Sequence, residues 1–182
     1  MKLKLVPSYA LLVLAVLSIV VYAFTVKPKF VATEKPKTMG QSIIFSTYLL
    51  LDGKCKEAME FYRSCFGGDL IMTTIGESPM KDIFPESMHK RVVNAKLVSG
   101  SINISASDWL RPSETPVQGN TVCLYLNGSS YSEIKNLFDK LSSGATITDS
   151  LKEEPFGVYG ALNDKFGFRW MFHTPKKDQR KG

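Results

Sequence analysis

Histidine is almost missing from this chain: His89 and His173 are the only two among 182 residues. So small a supply leaves few imidazole ligands for a metal centre. Ser-His-Asp catalysis has no signature either, because no Gly-x-Ser-x-Gly occurs and neither histidine has an evident partner. Cysteine is nearly as scarce. Cys55 and Cys65 fall ten positions apart on one expected helix, about 15 Å, which is too far for a disulfide. Cys123 falls in mid-strand, and all three read as small buried hydrophobic side chains. No glycine-rich phosphate cradle is present, since Gly67-Gly68 and Ser99-Gly-Ser read as turns. Glu153 and Glu154 are adjacent, point opposite ways in a strand and form a solvated edge rather than a catalytic pair.

The positive charge is in the wrong place for a nucleic-acid surface. The formal net charge is +6, but residues 1–40 hold six Lys against one Glu, and residues 176–182 hold four basic residues against Asp178. Between them, residues 41–175 contain 13 basic and 15 acidic side chains, a net −2. A phosphate-binding surface on the domain is not supported, and no nucleic-acid partner is expected.

One long apolar run is present. Tyr9 to Val26 is 18 residues long, preceded by Lys2 and Lys4 and followed by Lys27 and Lys29. About 17–20 apolar residues span a bilayer core as a helix. Val21-Tyr22-Ala23 hints at a cleavage site but has no small residue at its −3 position. Residues 1–26 are therefore expected to be an uncleaved membrane anchor made of a single N-terminal helix, the alternative being a signal segment whose removal exports the domain. Lysines at both ends leave the orientation open. Residues 27–40 read as a charged Pro/Lys linker, residues 41–175 as the folded domain and residues 176–182 as a basic tail.

Within the domain, one local pattern occurs twice. Thr47-Tyr-Leu-Leu-Leu-Asp52-Gly53 precedes Lys54 to Phe66, and Val122-Cys-Leu-Tyr-Leu-Asn127-Gly128 precedes Ser130 to Leu141, with the two Asx-Gly turns 75 positions apart. Each copy reads as an apolar strand, a turn and an amphipathic helix. Asp52 is a plausible N-cap for the first helix, and Ser130-x-x-Glu133 is a capping box for the second. Strands are expected at Ile43 to Leu51, Asp69 to Ile75, Arg91 to Val98 and Ser101 to Ser107, with a loop from Gly76 to Met88. Trp109 to Asn120 joins the halves. The second half continues with strands at Thr121 to Leu126, Ala145 to Leu151, Phe156 to Leu162 and Phe168 to His173. The fold is thus expected to be α+β, two βαβββ modules over residues 41–108 and 121–175.

Two βαβββ halves resemble the vicinal-oxygen-chelate superfamily, which includes glyoxalase I, bleomycin- and fosfomycin-resistance proteins and extradiol dioxygenases. Tyr48-Leu-Leu-Leu-Asp-Gly53, Glu57-Ala-Met-Glu-Phe-Tyr62, Phe66-Gly-Gly68, Tyr159-Gly160 and Asp164-Lys-Phe-Gly167 with Arg169-Trp170 resemble its PhnB-type branch. The resemblance implies a curved mixed sheet around a cup, where inward His and Glu residues often hold a divalent metal open to substrate oxygens. Carried over from the strand registers, those ligand positions fall near Thr47, near Ile104 or Ser105, at about Thr121 and at Met171. The histidine that commonly opens a His-Ala pair in the PhnB branch corresponds to Asn94, before Ala95. None of these is a histidine or carboxylate.

The expectation is therefore a PhnB-like domain without metal or other cofactor, binding a small organic ligand or serving as an interaction module. Asn94, Ser105, Trp109, Phe156, Tyr159 and Trp170, with Thr47 and Thr121, are the expected cup lining; aromatic walls with a few polar groups are the usual make-up of such pockets. The competing reading is a glyoxalase- or dioxygenase-like metalloenzyme with an atypical ligand set drawn from Asn94, His89 or His173. Superfamily members commonly dimerise, so a homodimer is a further expectation.

Overall fold

In the computed structural model, the described residues are 46–111 and 113–176. The apolar run, the charged linker and residues 177–182 lie outside them. Among the described residues no helix is long and apolar enough to cross a membrane.

The first module runs β1 (Thr47–Leu51), α1 (Cys55–Phe66), β2 (Asp69–Thr74), β3 (Val92–Ser99) and β4 (Ile102–Asp108). The second runs β5 (Leu124–Asn127), α2 (Tyr131–Leu141), β6 (Thr146–Glu154), β7 (Gly157–Asn163) and β8 (Arg169–Pro175). The strands form two four-stranded sheets, ordered β1-β4-β3-β2 and β5-β8-β7-β6. In each sheet the module's first strand pairs parallel with its last, and the other pairings are antiparallel. This is the expected pair of βαβββ modules. β5 starts at Leu124 rather than Thr121 because its one ladder partner, β8, begins only at Arg169, with Leu124 opposite Trp170.

Each sheet buries one face. On α1, Cys55, Ala58, Met59, Tyr62 and Cys65 recur at helical spacing and are all buried. They pack on alternate strand residues, including Leu49, Leu51, Ala95, Leu97, Ile104 and Ala106. On α2, Ile134, Phe138 and Leu141 do the same with Leu126, Leu162 and Phe172. Burial of such side chains contributes roughly 1.5–3 kcal/mol each, and it fixes which residues the other face presents.

The two repeated turns look alike in sequence and differ in physics. Gly53 adopts φ 72°, which favours glycine. Gly128 is needed for space, since a Cβ there would lie 2.9 Å from Ile134 Cγ1. Ser130 caps α2 as expected, its Oγ accepting from Glu133 N–H at 3.3 Å. Asp52 does not cap α1. The Gly53 turn delays the helix, whose N-cap is Lys54 without a side-chain bond, and Asp52 pairs with Arg91 at 3.0 Å. The first helical N–H, of Cys55, instead donates to Asp108 Oδ1 at 3.0 Å, while Val92 N–H donates to Asp108 Oδ2 at 2.7 Å.

The Gly76 to Met88 loop holds three 3₁₀ turns, at Ile75–Glu77, Lys81–Ile83 and Glu86–Met88. Glu77 anchors the first, accepting from Thr74 N–H at 3.0 Å and Thr74 Oγ1 at 2.7 Å. Those donors, the backbone one foremost, hold its carboxyl below the usual range. His89 closes the loop, with Nε2 3.0 Å from the Lys81 carbonyl and 3.1 Å from that of Phe84.

Asp164 joins the modules. Its Oδ2 accepts from Tyr62 Oη at 2.7 Å and Trp170 Nε1 at 2.8 Å, and its Oδ1 from the N–H groups of Phe166 and Phe168 at 2.9 and 3.0 Å. Tyr62, Phe66 and Trp170 pack around this point with ring centroids 5.6–5.7 Å apart. Burial first, and the Asp164 charge second, push the Tyr62 hydroxyl above its ordinary range. The Phe-Tyr helix and the Asp-x-Phe-Gly-x-x-Trp segment are thus two halves of one clasp.

Cys55 and Cys65 are buried and Cys123 is half-buried, its Sγ 3.1 Å from Met171 Sδ. Burial, then the Asp108 charge, raises the Cys55 thiol to about 12, and burial also raises Cys65. The folded state holds the neutral Cys55 thiol, so its contribution is intact below pH 9.0 and is lost as pH rises towards about 12. With a thiol-specific chromogenic disulfide at pH 8, the folded chain is expected to react fast at one cysteine and at least roughly 100-fold more slowly at two. Cys123→Ser should remove the fast phase; a fast phase that survives it would overturn this assignment.

Candidate functional site

β1 and β5 are edge strands with one ladder neighbour each, so part of their backbone N–H and C=O groups point away from their own sheets. A cavity of about 730 Å³ adjoins both strands, within the range of small-molecule sites. It is lined by β1, Asp52, Lys54 and Trp109, by Thr115 to Gly119, by Thr121 to Leu124, and by the turn Lys165 to Arg169. Internal bonds hold this lining in shape. Arg91 Nη1 donates to Asp52 and, at 2.9 Å, to the Trp109 carbonyl. Trp109 Nε1 is shared between the carbonyls of Arg111 and Glu114 at 3.0 and 3.1 Å. Gln118 Nε2 donates to the Phe166 carbonyl at 3.3 Å, tying the inter-module segment to the Asp164 turn.

Strand alternation sets the sheet faces turned away from the helices. On the first sheet Leu49 and Leu51 enter the core, and Tyr48 and Leu50 stay about half exposed. Ser105 and Ser107 lie opposite them in the β1–β4 register. On the second sheet Trp170 and Phe172 are buried, so Met171 and His173 share the other face with their register partners Tyr125, Asn127, Ala161 and Tyr159. Tyr125 Oη lies 2.8 Å from His173 Nδ1, and burial raises the Tyr125 hydroxyl. The Phe156 ring is 5.9 Å from His173 and 6.1 Å from Tyr159.

The expected lining therefore divides. Trp109 borders the cavity. Asn94 and Ser105 sit on the open face of the first sheet, and Phe156 and Tyr159 gather around His173 on that of the second. Trp170 requires correction: at 2 % exposure it is a core residue bonded to Asp164, because β8 sends its even-numbered residues inward. Thr47 shares the helix-facing side of β1 with Leu49, so Tyr48 and Leu50 take the open-face positions assigned to it. Thr121 precedes β5 and reaches the cavity from the loop. Tyr48, Leu50 and Tyr125 lie in runs whose two faces are both apolar, so alternation assigns them no face.

The superfamily's divalent centre would need several N/O donors converging on one point. Among the described residues no three His, Cys, Asp or Glu side chains do so. The open faces offer Tyr48, Leu50, Ser105, Tyr125 and Met171, with His173, whose Nδ1 is engaged by Tyr125, and Asp149, the register partner of Ala161, which pairs with Arg169 at 3.8 Å. His89 faces its own loop.

Paired βαβββ modules with parallel first and last strands are the glyoxalase-like fold. The chain belongs to the family described as 3-demethylubiquinone-9 3-methyltransferase, whose model matches residues 43–172. It is 26 % identical over 142 residues to the protein YjdN of Escherichia coli (strain K12), covering 72 % of this chain and 95 % of that one. A PhnB protein structure from Bacillus cereus superposes with a TM-score of 0.60 at 24 % identity, covering 72 % of this chain and 99 % of the other. A glyoxylase/bleomycin resistance protein/dioxygenase domain from Frankia sp. EAN1pec shares the fold at a TM-score of 0.52 and 15 % identity, covering 75 % of this chain and 100 % of the other.

Proposed function

We propose that the domain binds a small organic ligand, without a metal ion, in the cavity beside β1 and β5. The observation that supports this reading is the cavity itself: about 730 Å³ with leucine, tyrosine and tryptophan walls, edge-strand backbone groups and a few charged side chains. That is the composition of a site that excludes water from an apolar body and orients it through a few directional bonds. The positions that the resemblance assigns to metal ligands, near Thr47, at Ile104 or Ser105, at about Thr121 and at Met171, hold no histidine or carboxylate, which favours binding over Lewis-acid chemistry.

The test is a melting experiment on the full chain. A chelator should move Tm by less than about 1 °C. A ligand at 100-fold its Kd adds about 2.7 kcal/mol, a rise on the order of 10 °C for a domain of this size. The panel should include S-adenosylmethionine and quinone head-group analogues, since the family's description names a methyl transfer. Stoichiometric divalent metal together with a chelator-induced fall in Tm would replace this reading with the metalloenzyme. No rise with any compound would replace it with an interaction module.

A further inference from the structure

The charges around the cavity run against those of the domain. Residues 41–175 have a net charge of −2, yet the charged residues bordering the cavity are Lys54, Lys165 and Arg169 against the single carboxylate of Asp52. Asp52 is already matched by Arg91 at 3.0 Å, so it neutralises none of the three.

The cations differ in how far they are satisfied. Lys165 Nζ lies 3.4 Å from Glu57 and over the rings of Phe61 and Phe166, 4.6 and 5.0 Å from their centroids. Its position is fixed by these contacts. Arg169 forms a loose ion pair with Asp149 at 3.8 Å, beyond hydrogen-bond distance, so its N–H donors are not all engaged by that carboxylate. Lys54 forms no ion pair among the described residues. A guanidinium at a partly enclosed wall is suited to holding two oxygens of one oxyanion. Three cations at one cavity, of which Lys54 has no ion pair among the described residues, favour anions at this place.

The remaining walls are apolar, with Tyr48, Leu50, Val122 and the Trp109 indole among them. Resting on the ligand-binding reading above, we infer that the ligand is an organic oxyanion: a carboxylate, sulfonate or phosphonate head held by Arg169, with Lys54 and Lys165 adding to the field. Its ring-sized apolar body lies against Tyr48, Leu50 and Trp109.

Two fluorescent probes of one ring skeleton separate the possibilities. 8-Anilinonaphthalene-1-sulfonate carries the anionic group, and N-phenyl-1-naphthylamine lacks it. Titrated into the full chain at about 50 mM salt, the sulfonate should bind at least 10-fold more tightly. That preference should fall several-fold at about 500 mM salt, where charges are screened within a few ångströms. Arg169→Gln and, independently, Lys54→Gln should each weaken the sulfonate several-fold and leave the neutral probe within about two-fold, which also reports an intact cavity. If the neutral probe binds as tightly as the anion, or if neither variant affects the anion, the charge inference is overturned while ligand binding stands. If neither probe binds, the cavity reading falls and the inference with it.

Discussion

Asp164→Ala is expected to destabilise the domain by about 4 kcal/mol and to lower Tm by roughly 10–15 °C. Asp164 is 4 % exposed and accepts four hydrogen bonds, two from side chains of the core and two from backbone. Truncation removes all four acceptor contacts and leaves the Tyr62 hydroxyl and Trp170 indole N–H buried without partners, each a penalty of about 1–3 kcal/mol. The losses do not sum fully, because the Phe166 and Phe168 amides lie in a turn that water can reach on relaxation. Tyr62→Phe should lose only about 1–2 kcal/mol, since Asp164 then keeps its other three donors. The double variant should be less destabilised than the sum, with a coupling of about 1–2 kcal/mol that identifies the shared bond. Denaturant unfolding of the four proteins measures all of this. A loss below about 1 kcal/mol for Asp164→Ala would mean the clasp carries little of the fold's stability.

This clasp separates what is local in the sequence from what is not. The repeated strand-turn-helix pattern and the Phe61-Tyr62 and Asp164-to-Trp170 motifs are local in sequence, and they gave the two modules in the correct order. What those motifs do was not local. Tyr62 and Asp164 are 102 positions apart, and their bond shows that these signature residues hold the modules together. The register of β1 was also out of reach. In Thr47-Tyr-Leu-Leu-Leu51 both parities are apolar, so hydrophobic alternation cannot choose a face, and it is Tyr48 and Leu50 rather than Thr47 that take the open one. Trp170 is ambiguous for a related reason: an indole fits either an aromatic pocket wall or a core, and only the position of Asp164 decides. The cavity lies beside edge strands, so residues of both parities reach it, and a period of two has nothing to say about its lining. Cation placement is likewise invisible to composition. The mildly acidic total conceals three basic side chains collected at one cavity.

The second large effect is expected at Asp108, the carboxylate that took the capping role assigned to Asp52. Asp108 is 3 % exposed at the end of β4, opposite Leu51 of β1. Its two oxygens receive Cys55 N–H, the first amide of α1, and Val92 N–H, the first of β3. One side chain thereby fixes where the helix and the inner hairpin begin. A carboxylate there also faces the positive end of α1, worth about 0.3–1 kcal/mol beyond the hydrogen bonds. Asp108→Ala leaves both amides unmet in a place with little room for water and should destabilise by about 3 kcal/mol. Asp108→Asn preserves volume but turns an NH₂ towards one of the two amides. One bond survives, one becomes a repulsive donor–donor contact, and the charge at the helix terminus is gone, so a loss of about 2 kcal/mol is expected. Asp52→Ala serves as the comparison. Asp52 pairs with Arg91 where its side chain is 60 % exposed, and surface pairs of that kind contribute about 0–1 kcal/mol. Denaturant midpoints should therefore fall in the order Asp108→Ala, Asp108→Asn, Asp52→Ala, the first being the largest fall. If Asp52→Ala proves as damaging as Asp108→Ala, the helix is capped from the turn, and the buried carboxylate does not set its start.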